Sequence, residues 1–96
     1  MFDDLDPLLH SQLRLAVVSI LISVKEAEFV YIKEKTNATA GNLSVQLVKL
    51  SNAGYISIKK SFKGKRPLTT CKITKKGIMA FENYVKSLQK YIDMGE

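Results

Sequence analysis

Apolar residues recur three and four positions apart between Leu9 and Val24. This spacing predicts an amphipathic helix. Asp6-Pro7 precedes the pattern, and a carboxylate followed by proline is typical of a helix N-terminus, so we expect the first helix to begin there. Other apolar residues cover the remaining sides of this helix. Because a helix of that kind needs burial on more than one side, we expect a second copy of the chain to cover part of it.

A short second helix is predicted after a polar break at residues 25–28. Phe29 and Ile32 have helical spacing, and the pattern ends near Thr36. Asn37-Ala38 then favours a turn, because asparagine tolerates the backbone conformations that turns require.

A third helix is predicted from Thr39 onward. Threonine is a favourable N-cap residue. Leu43, Leu47 and Leu50 follow at positions that share one narrow helical stripe. Gly54 stands where a glycine commonly ends a helix.

The apolar period changes from helical to alternating at residues 55–62, which predicts a β-strand. Residues 63–67, Lys-Gly-Lys-Arg-Pro, predict a turn, and residues 68–73 a second strand. Together they predict a β-hairpin with a basic tip.

A last helix is predicted after Thr74, which can cap it. Its apolar residues are separated by three and four positions in turn, which is the spacing of a coiled-coil seam. These residues are Ile78, Phe81, Val85, Leu88 and Ile92, and Tyr84 and Tyr91 widen the seam. We expect residues 74–93 to be a dimerisation helix.

The positive charge is concentrated in one block. The 96 residues carry a formal net charge of +6, yet residues 35–81 hold ten bases and no acid. Eight of these bases fall between Lys59 and Lys76. A long block of one sign indicates a polyanionic partner. A solubility device, a membrane surface or an acidic protein would also suit such a block.

Two short helices, a tight turn and a basic hairpin form the order of a winged helix-turn-helix. The sequence resembles the MarR/ArsR-like winged-helix transcriptional regulators, above all the small single-domain members. Five segments carry the resemblance: Leu13-Arg14-Leu15, residues 39–43, 52–56, 64–70 and 73–77. None is specific alone, but their order is.

The resemblance implies an α+β fold with a three-helix DNA-binding core, a two-stranded wing and a long C-terminal dimerisation helix. We expect one domain over residues 1–96, with residues 1–6 as a mobile tail. The family implies sequence-specific binding of double-stranded DNA as a homodimer and transcriptional regulation, which we expect to be repression. The recognition helix, residues 39–53, would enter the major groove. The wing, residues 59–70, would contact the backbone or minor groove.

The expected DNA contacts lie opposite the leucine stripe and at the hairpin tip. Asn42 and Gln46 carry the paired donor and acceptor that bidentate recognition of adenine requires, and Val45 can meet a thymine methyl group. Gly41 indicates either close approach to a phosphate or close packing against the preceding helix. The full set is Thr39, Gly41, Asn42, Ser44, Val45, Gln46, Lys49, Lys63, Lys65 and Arg66. The alternative is an ordinary amphipathic helix and a solvated loop.

The expected dimer contacts come from the first and last helices. They are Leu15, Val18, Ile22, Phe81, Tyr84, Val85, Leu88, Tyr91 and Ile92.

The sequence argues against several other classes of protein. With one cysteine and one histidine it offers no internal disulfide and no thiolate or histidine metal cluster, so we do not carry over metal sensing. Cys71 is expected to be a small core residue and His10 to be structural or solvated. No nucleophile–base pair or phosphate-binding glycine loop indicates an enzyme. We expect no cofactor, no small-molecule ligand and no membrane span, and a cytoplasmic protein. The alternative function is a winged-helix module that binds an acidic protein.

Overall fold

Four helices and three strands form a winged helix-turn-helix over residues 2–93, the part of the chain that the computed structural model describes. This α+β architecture with its two-stranded wing confirms the expected fold class. The elements are α1 (Gln12–Val24), β1 (Glu26–Glu28), α2 (Phe29–Thr36), α3 (Ala40–Asn52), β2 (Ile56–Lys63), β3 (Arg66–Ile73) and α4 (Lys75–Asp93).

The first helix begins later than Asp6-Pro7 predicts. Asp6 instead closes a turn, because its carboxylate accepts from the Leu8 amide at 2.9 Å and its carbonyl from two following amides. The chain then extends at Ser11, whose hydroxyl accepts from the Arg14 amide, and α1 starts at Gln12. The Asp-Pro pair therefore caps a separate turn that precedes α1.

The many apolar sides of α1 are covered mainly by its own chain. Val17, Val18 and Leu21 are completely buried, and Leu15 and Ile22 pack partly buried against the same core. Contacts from α2, α3, α4 and the sheet converge on α1. The chain itself therefore covers most of this helix, and cover by a second copy over its partly buried residues, among them Leu15 and Ile22, stays a prediction.

The sheet contains a strand that the sequence pattern does not predict. β1 pairs antiparallel with β3, and the strand order is β1-β3-β2. β1 lies in the expected polar break and is three residues long, with Ala27 between two exposed glutamates. A single inward residue gives no alternation to detect, and only its pairing to Cys71 of β3 makes this segment a strand.

The wing has a tighter turn than predicted. Residues Gly64-Lys65 alone form it, and Gly64 has a φ of 66°, a region that glycine adopts readily. Both strands extend into the predicted turn, with Pro67 opposite Phe62. Proline is tolerated there because β1 pairs with β3 only at residues 70–72, so the missing N–H removes no bond from β1.

The turn between α2 and α3 and the start of α3 are as predicted. Asn37 adopts the left-handed conformation, and the Thr39 hydroxyl accepts from the Asn42 amide at 3.2 Å. Leu43, Leu47 and Leu50 face the core and are at most 2% exposed. This buried leucine stripe fixes which side of α3 faces outward.

The N-terminal segment lies against α4, where we expected a mobile tail over residues 1–6. Phe2 stacks on Tyr91 with ring centroids 4.4 Å apart, and the Tyr91 hydroxyl donates to the Asp3 carbonyl. The Lys90 ammonium lies 2.7 Å from the Asp3 carboxylate and holds the pKa of that carboxyl below its usual value. Met1 is outside the described residues. Residues 2–6 thus belong to the folded unit.

A close contact joins the start of α4 to the end of α3. Thr74 caps α4 as predicted, accepting from the Gly77 amide at 3.0 Å, and its hydroxyl donates to the Gly54 carbonyl. A Cβ on Gly77 would lie 2.2 Å from the Tyr55 carbonyl oxygen. Only glycine allows α4 to approach the backbone this closely.

Gly77→Ala is expected to destabilise the protein by about 2–3 kcal/mol, because the added methyl group displaces backbone. Gly41→Ala is the matched control, since no heavy atom lies within 4 Å of the point where its methyl group would sit, and alanine favours a helix by up to about 1 kcal/mol. Urea denaturation followed by circular dichroism measures both. Equal midpoints for Gly77→Ala and the wild type would contradict the close contact.

Tyr55 gives the fold a specific sensitivity to alkali. Burial, together with the hydrogen bond and negative charge of Asp6, raises the pKa of Tyr55 from 10.0 to about 12. A raised pKa means that the folded state prefers the protonated phenol. This contribution to the free energy of unfolding is complete below pH 10 and is lost as the pH approaches 12.

Tyr55→Phe should therefore lower stability by about 1–2 kcal/mol at pH 7, by removing the hydrogen bond to a carboxylate. Above pH 10 the difference from the wild type should shrink, because phenylalanine has no proton to lose. Urea midpoints at pH 7, 10 and 11.5 measure this difference, in which the titration of the lysines common to both proteins largely cancels. A difference in urea midpoint between the two proteins that stays constant with pH would contradict the raised pKa of Tyr55.

Candidate nucleic-acid interface

The outward side of α3 is an exposed surface of mixed polar and apolar residues. Of the ten residues expected to contact DNA, all are exposed except Gln46, which is half-buried. Val45 and Val48 are about half exposed, at 52% and 51%. Apolar side chains left in water at the centre of a helix face suit contact with another apolar group, such as a thymine methyl.

The side-chain amides of Asn42 and Gln46 are hydrogen-bonded to other side chains of the protein. Arg14 of α1 donates from Nη1 to Oε1 of Gln46. Gln46 in turn donates from Nε2 to Oδ1 of Asn42 at 3.0 Å. Each amide oxygen thus already accepts one hydrogen bond from within the protein, and the bidentate recognition of adenine stays a prediction.

Arg14 is a site residue that the sequence pattern does not reveal. It lies 32 positions before Gln46, so no local periodicity relates the two. Its Nε also donates to the Leu8 carbonyl at 2.6 Å, which ties the guanidinium to the N-terminal turn. We refer to the bonded set Arg14, Gln46 and Asn42 as the amide relay.

Gly41 has no packing reason to be glycine. No heavy atom lies within 4 Å of the position that a Cβ would occupy there. This excludes the alternative of close packing against the preceding helix. Close approach of a phosphate to the exposed first turn of α3, the other reading of this glycine, stays a prediction.

Lys60 lies on the same side of the sheet as α3. Strand alternation places it on the face of Ile58, and with Thr69 it lines a cleft that also contains Ser44 and Val48. Along the sequence, Lys60 stands out only as part of the positive block. Side chains alternate along a strand, so Lys60 lies on the same face of β2 as the buried Ile56. This alternation could have assigned Lys60 to the α3 side from the sequence.

The opposite face of the sheet carries charges of both signs. Lys72 is registered directly opposite Glu26 of β1. Glu28 is opposite Thr70, whose other neighbour is Lys59. The bases of residues 35–81 are therefore not all free of acidic neighbours, because β1 places Glu26 and Glu28 beside this face.

Three bases cluster at the wing tip, where Glu28 of β1 lines the same cleft as Arg66. Lys63 and Arg66 are directly opposite each other across the hairpin, and Lys65 lies in the turn between them. All three are exposed. Like charges at facing positions destabilise a sheet, so a tip of this kind is suited to a partner that neutralises it. Within residues 2–93 the one salt bridge is Lys90–Asp3, far from this tip in sequence.

An apolar stripe runs along the outside of α4. Ile78, Val85 and Ile92 follow one another at seven-residue intervals and are 37%, 44% and 59% exposed. Leu88 and Tyr91 are also exposed, and Phe81 is partly buried. The coiled-coil spacing therefore falls on a surface that the folded chain leaves uncovered.

Two residues expected at a dimer interface are buried within the chain instead. Val18 is completely buried, and Tyr84 is 6% exposed with its hydroxyl 3.0 Å from Nδ1 of His10. Neither has appreciable side-chain surface left for a second copy. The hydrogen bond also gives His10 the structural role that was one of its two expected roles.

Cys71 is the core residue that we expected. It is completely buried, and burial raises the pKa of its thiol to about 11, which keeps it protonated at neutral pH.

No group of three His, Cys, Asp or Glu side chains suited to a metal ion occurs within residues 2–93. In the same part of the chain no helix is long and apolar enough to cross a bilayer.

Comparison with known proteins agrees with this geometry. A family model described as a winged helix DNA-binding domain matches residues 13–92. An uncharacterised protein of Methanocaldococcus jannaschii is 42% identical over 76 residues, which cover 79% of this chain and 83% of that protein.

Solved structures share the same arrangement. A transcriptional regulator homologue from Pyrococcus horikoshii superposes with a TM-score of 0.86 at 27% identity, covering 93% of this chain and 88% of its own. A mutant of MarR from E. coli, complexed with operator DNA, shares the fold with a TM-score of 0.72 at 18% identity, covering 94% and 69%. ArsR-family regulators are also among the structural neighbours.

The family match spans the helix-turn-helix, the wing and most of α4, and winged-helix transcriptional regulators of this type are not enzymes. The chain belongs to the winged helix DNA-binding domain family.

Proposed function

We propose that this protein binds double-stranded DNA sequence-specifically as a homodimer and represses transcription, acting in the cytoplasm. The observation that carries the proposal is the wing tip: Lys63, Lys65 and Arg66 are exposed side by side, and within residues 2–93 no salt bridge involves them. The MarR mutant of the same fold, solved on operator DNA, supports this kind of partner.

In this proposal the recognition helix, residues 39–53, enters the major groove; it consists of α3 and one residue on either side. Its outward face offers Ser44 and Thr39 as hydrogen-bonding groups, the two exposed valines as apolar contacts and Lys49 as a cation. A major groove about 12 Å wide admits one α-helix with its side chains. The leucine stripe holds the opposite side of α3 on the core, so this outward face is what the helix presents to the groove.

The wing, residues 59–70, then lies along the backbone or in the minor groove. Arg66 suits a narrow minor groove, and lysines suit phosphates. Lys60 lines the cleft between the sheet and α3, and in this proposal it contacts the phosphates between the two grooves. Together these bases supply the electrostatic part of binding, which depends strongly on salt.

Lys65→Gln with Arg66→Gln is expected to weaken DNA binding about 10- to 100-fold and to reduce the salt slope of the binding constant by about 2, if both side chains contact phosphates. Fluorescence anisotropy with a labelled random duplex, between low and moderate salt, measures both quantities. Circular dichroism checks that the variant is folded.

Lys86→Glu on α4 is the matched control, because it also lowers the net charge by two but lies outside the acid-free block. Its salt slope should remain that of the wild type. If both variants weaken binding equally, net charge alone is responsible and the wing has no contact role. If the wild type captures a stoichiometric acidic protein and no duplex at low salt, the alternative of a protein-binding module is correct.

We propose further that the apolar stripe of α4 forms the dimer interface. The candidate contacts that remain are Leu15, Ile22, Phe81, Val85, Leu88, Tyr91 and Ile92. Their seven-residue spacing along α4 is that of paired helices. A two-fold dimer implies a pseudo-palindromic site with half-sites about 34 Å apart.

Val85→Asp with Ile92→Asp should convert the protein to a monomer, since two charges would be buried in the interface. Both positions are exposed in the single chain, so folding should be retained. Sedimentation equilibrium at micromolar concentration measures the mass. Met79→Asp is the control, because Met79 is 54% exposed but lies off the seven-residue repeat. A wild type that is monomeric throughout this range would refute the interface.

A further inference from the structure

A guanidinium from α1 is connected through two amides to the exposed surface of α3. Arg14 is partly buried and tied to the Leu8 carbonyl, whereas Asn42, at the other end of the amide relay, is exposed. We infer that Arg14 is a positioning residue for base recognition, which decides through the relay which hydrogen-bonding group of Asn42 faces the DNA. This inference rests on the proposed function and specifies it further.

The chemistry of the guanidinium fixes the direction of every bond in the relay. Arginine has N–H donors and no acceptor, so Gln46 must turn its oxygen toward Arg14. With its oxygen turned toward Arg14, Gln46 points its amino group the other way, where it donates to Oδ1 of Asn42. The amino group of Asn42 is what remains outside the relay. The two amides thus have one orientation, and the arginine sets it.

A protein surface that presents an amide nitrogen recognises hydrogen-bond acceptors. In the major groove guanine presents O6 and N7, and thymine presents O4. Adenine presents N7 as an acceptor, but its N6 amino group beside N7 is a donor that an amide nitrogen does not match, and cytosine presents only a donor. We therefore expect guanine or thymine to be preferred over adenine and cytosine at the base that Asn42 contacts.

The position of the relay supports a role in recognition beyond packing. Asn42 and Gln46 are one turn apart along the edge of α3, and Asn42 lies in its first turn, where helix-turn-helix proteins contact bases. The Arg14 side chain is held at two points, at Leu8 and at Gln46. An exposed asparagine that would otherwise rotate freely is thereby given a single orientation before DNA arrives.

Gln46→Glu tests the inference by reversing the relay. A carboxylate has two acceptor oxygens, so it keeps its bond to Arg14 and then accepts from the amino group of Asn42. Asn42 must turn over and present Oδ1. Selection from random duplexes should then favour cytosine or adenine at the contacted position, with a change in preference of about fivefold or more.

The matched control for charge is Lys49→Gln, which also lowers the net charge by one on the same helix but leaves the relay intact. Both variants should bind DNA more weakly than the wild type, and only Gln46→Glu should exchange the preferred bases. Wild-type preference for adenine at this position, or an unchanged preference in Gln46→Glu, would overturn the inference.

Arg14→Met tests the source of the orientation, and Arg14→Lys, which keeps a donor-only head group, is its conservative partner. Methionine should reduce the guanine and thymine preference toward equality with adenine and cytosine, and lysine should retain part of it. Nuclear magnetic resonance of the DNA-free protein gives an independent readout. The side-chain amide signals of Gln46 and Asn42 should shift and exchange faster in Arg14→Met.

Base selection on duplex DNA and nuclear magnetic resonance of the DNA-free protein together distinguish a failure of this inference from a failure of the proposed function. If wild-type protein retains no duplex at low salt, the proposed function and the base preference both fail, while the amide signals still decide whether Arg14 orders the relay. If DNA is bound but Arg14→Met leaves the amide signals and the base preference unchanged, the relay has no positioning role and the inference is overturned.

Discussion

The structure depends on the burial of α1 at the centre of the core. Every other helix and the sheet contact it, and three of its residues are completely buried. Burying a leucine or valine side chain contributes about 1.5–3 kcal/mol, so a helix covered on many sides anchors its neighbours strongly. The leucine stripe of α3 packs into this core, and the outward face of α3 is a consequence of that packing. The same helix supplies Arg14, so the element that holds α3 in place also orients two of its polar side chains.

Sequence periodicity predicted the parts of the fold that repeat. The leucines of α3, the alternation in β2 and the caps at Thr39 and Thr74 are local patterns, and each appears in the structure where expected. The extra strand β1 and the contact from Arg14 to Gln46 depend on tertiary pairing, and no spacing within either segment encodes them. Asp6-Pro7 was misassigned for a related reason, since a cap on an isolated turn resembles a cap on a helix.

The candidate surface shows why a count of charges along the chain is less informative than strand register. Ten bases without an acid in residues 35–81 indicated a polyanionic partner. Register divides them, because β1 places Glu26 opposite Lys72 on one face of the sheet, while alternation directs Lys60 to the other face beside α3. Mixed signs on the first face resemble an ordinary solvated surface. The surface on which basic side chains have no acidic residue opposite them is therefore smaller than the ten-base block suggested. It consists of the wing tip and the side of the sheet next to α3.

This smaller surface does not stabilise the protein in the absence of a partner. Lys63 and Arg66 repel each other across the hairpin, and Val45 and Val48 lie half exposed on α3. Like charges that face each other across a hairpin lower the stability of the isolated chain. Valine side chains that stay in water add no hydrophobic stabilisation. Both would be relieved by the same kind of partner, a polyanion with apolar groups in a groove. In the proposed function a phosphate backbone would neutralise the tip, and thymine methyl groups would cover the valines. Duplex DNA presents phosphates and methyl groups together along one groove, so the proposed partner accounts for both features of the surface at once.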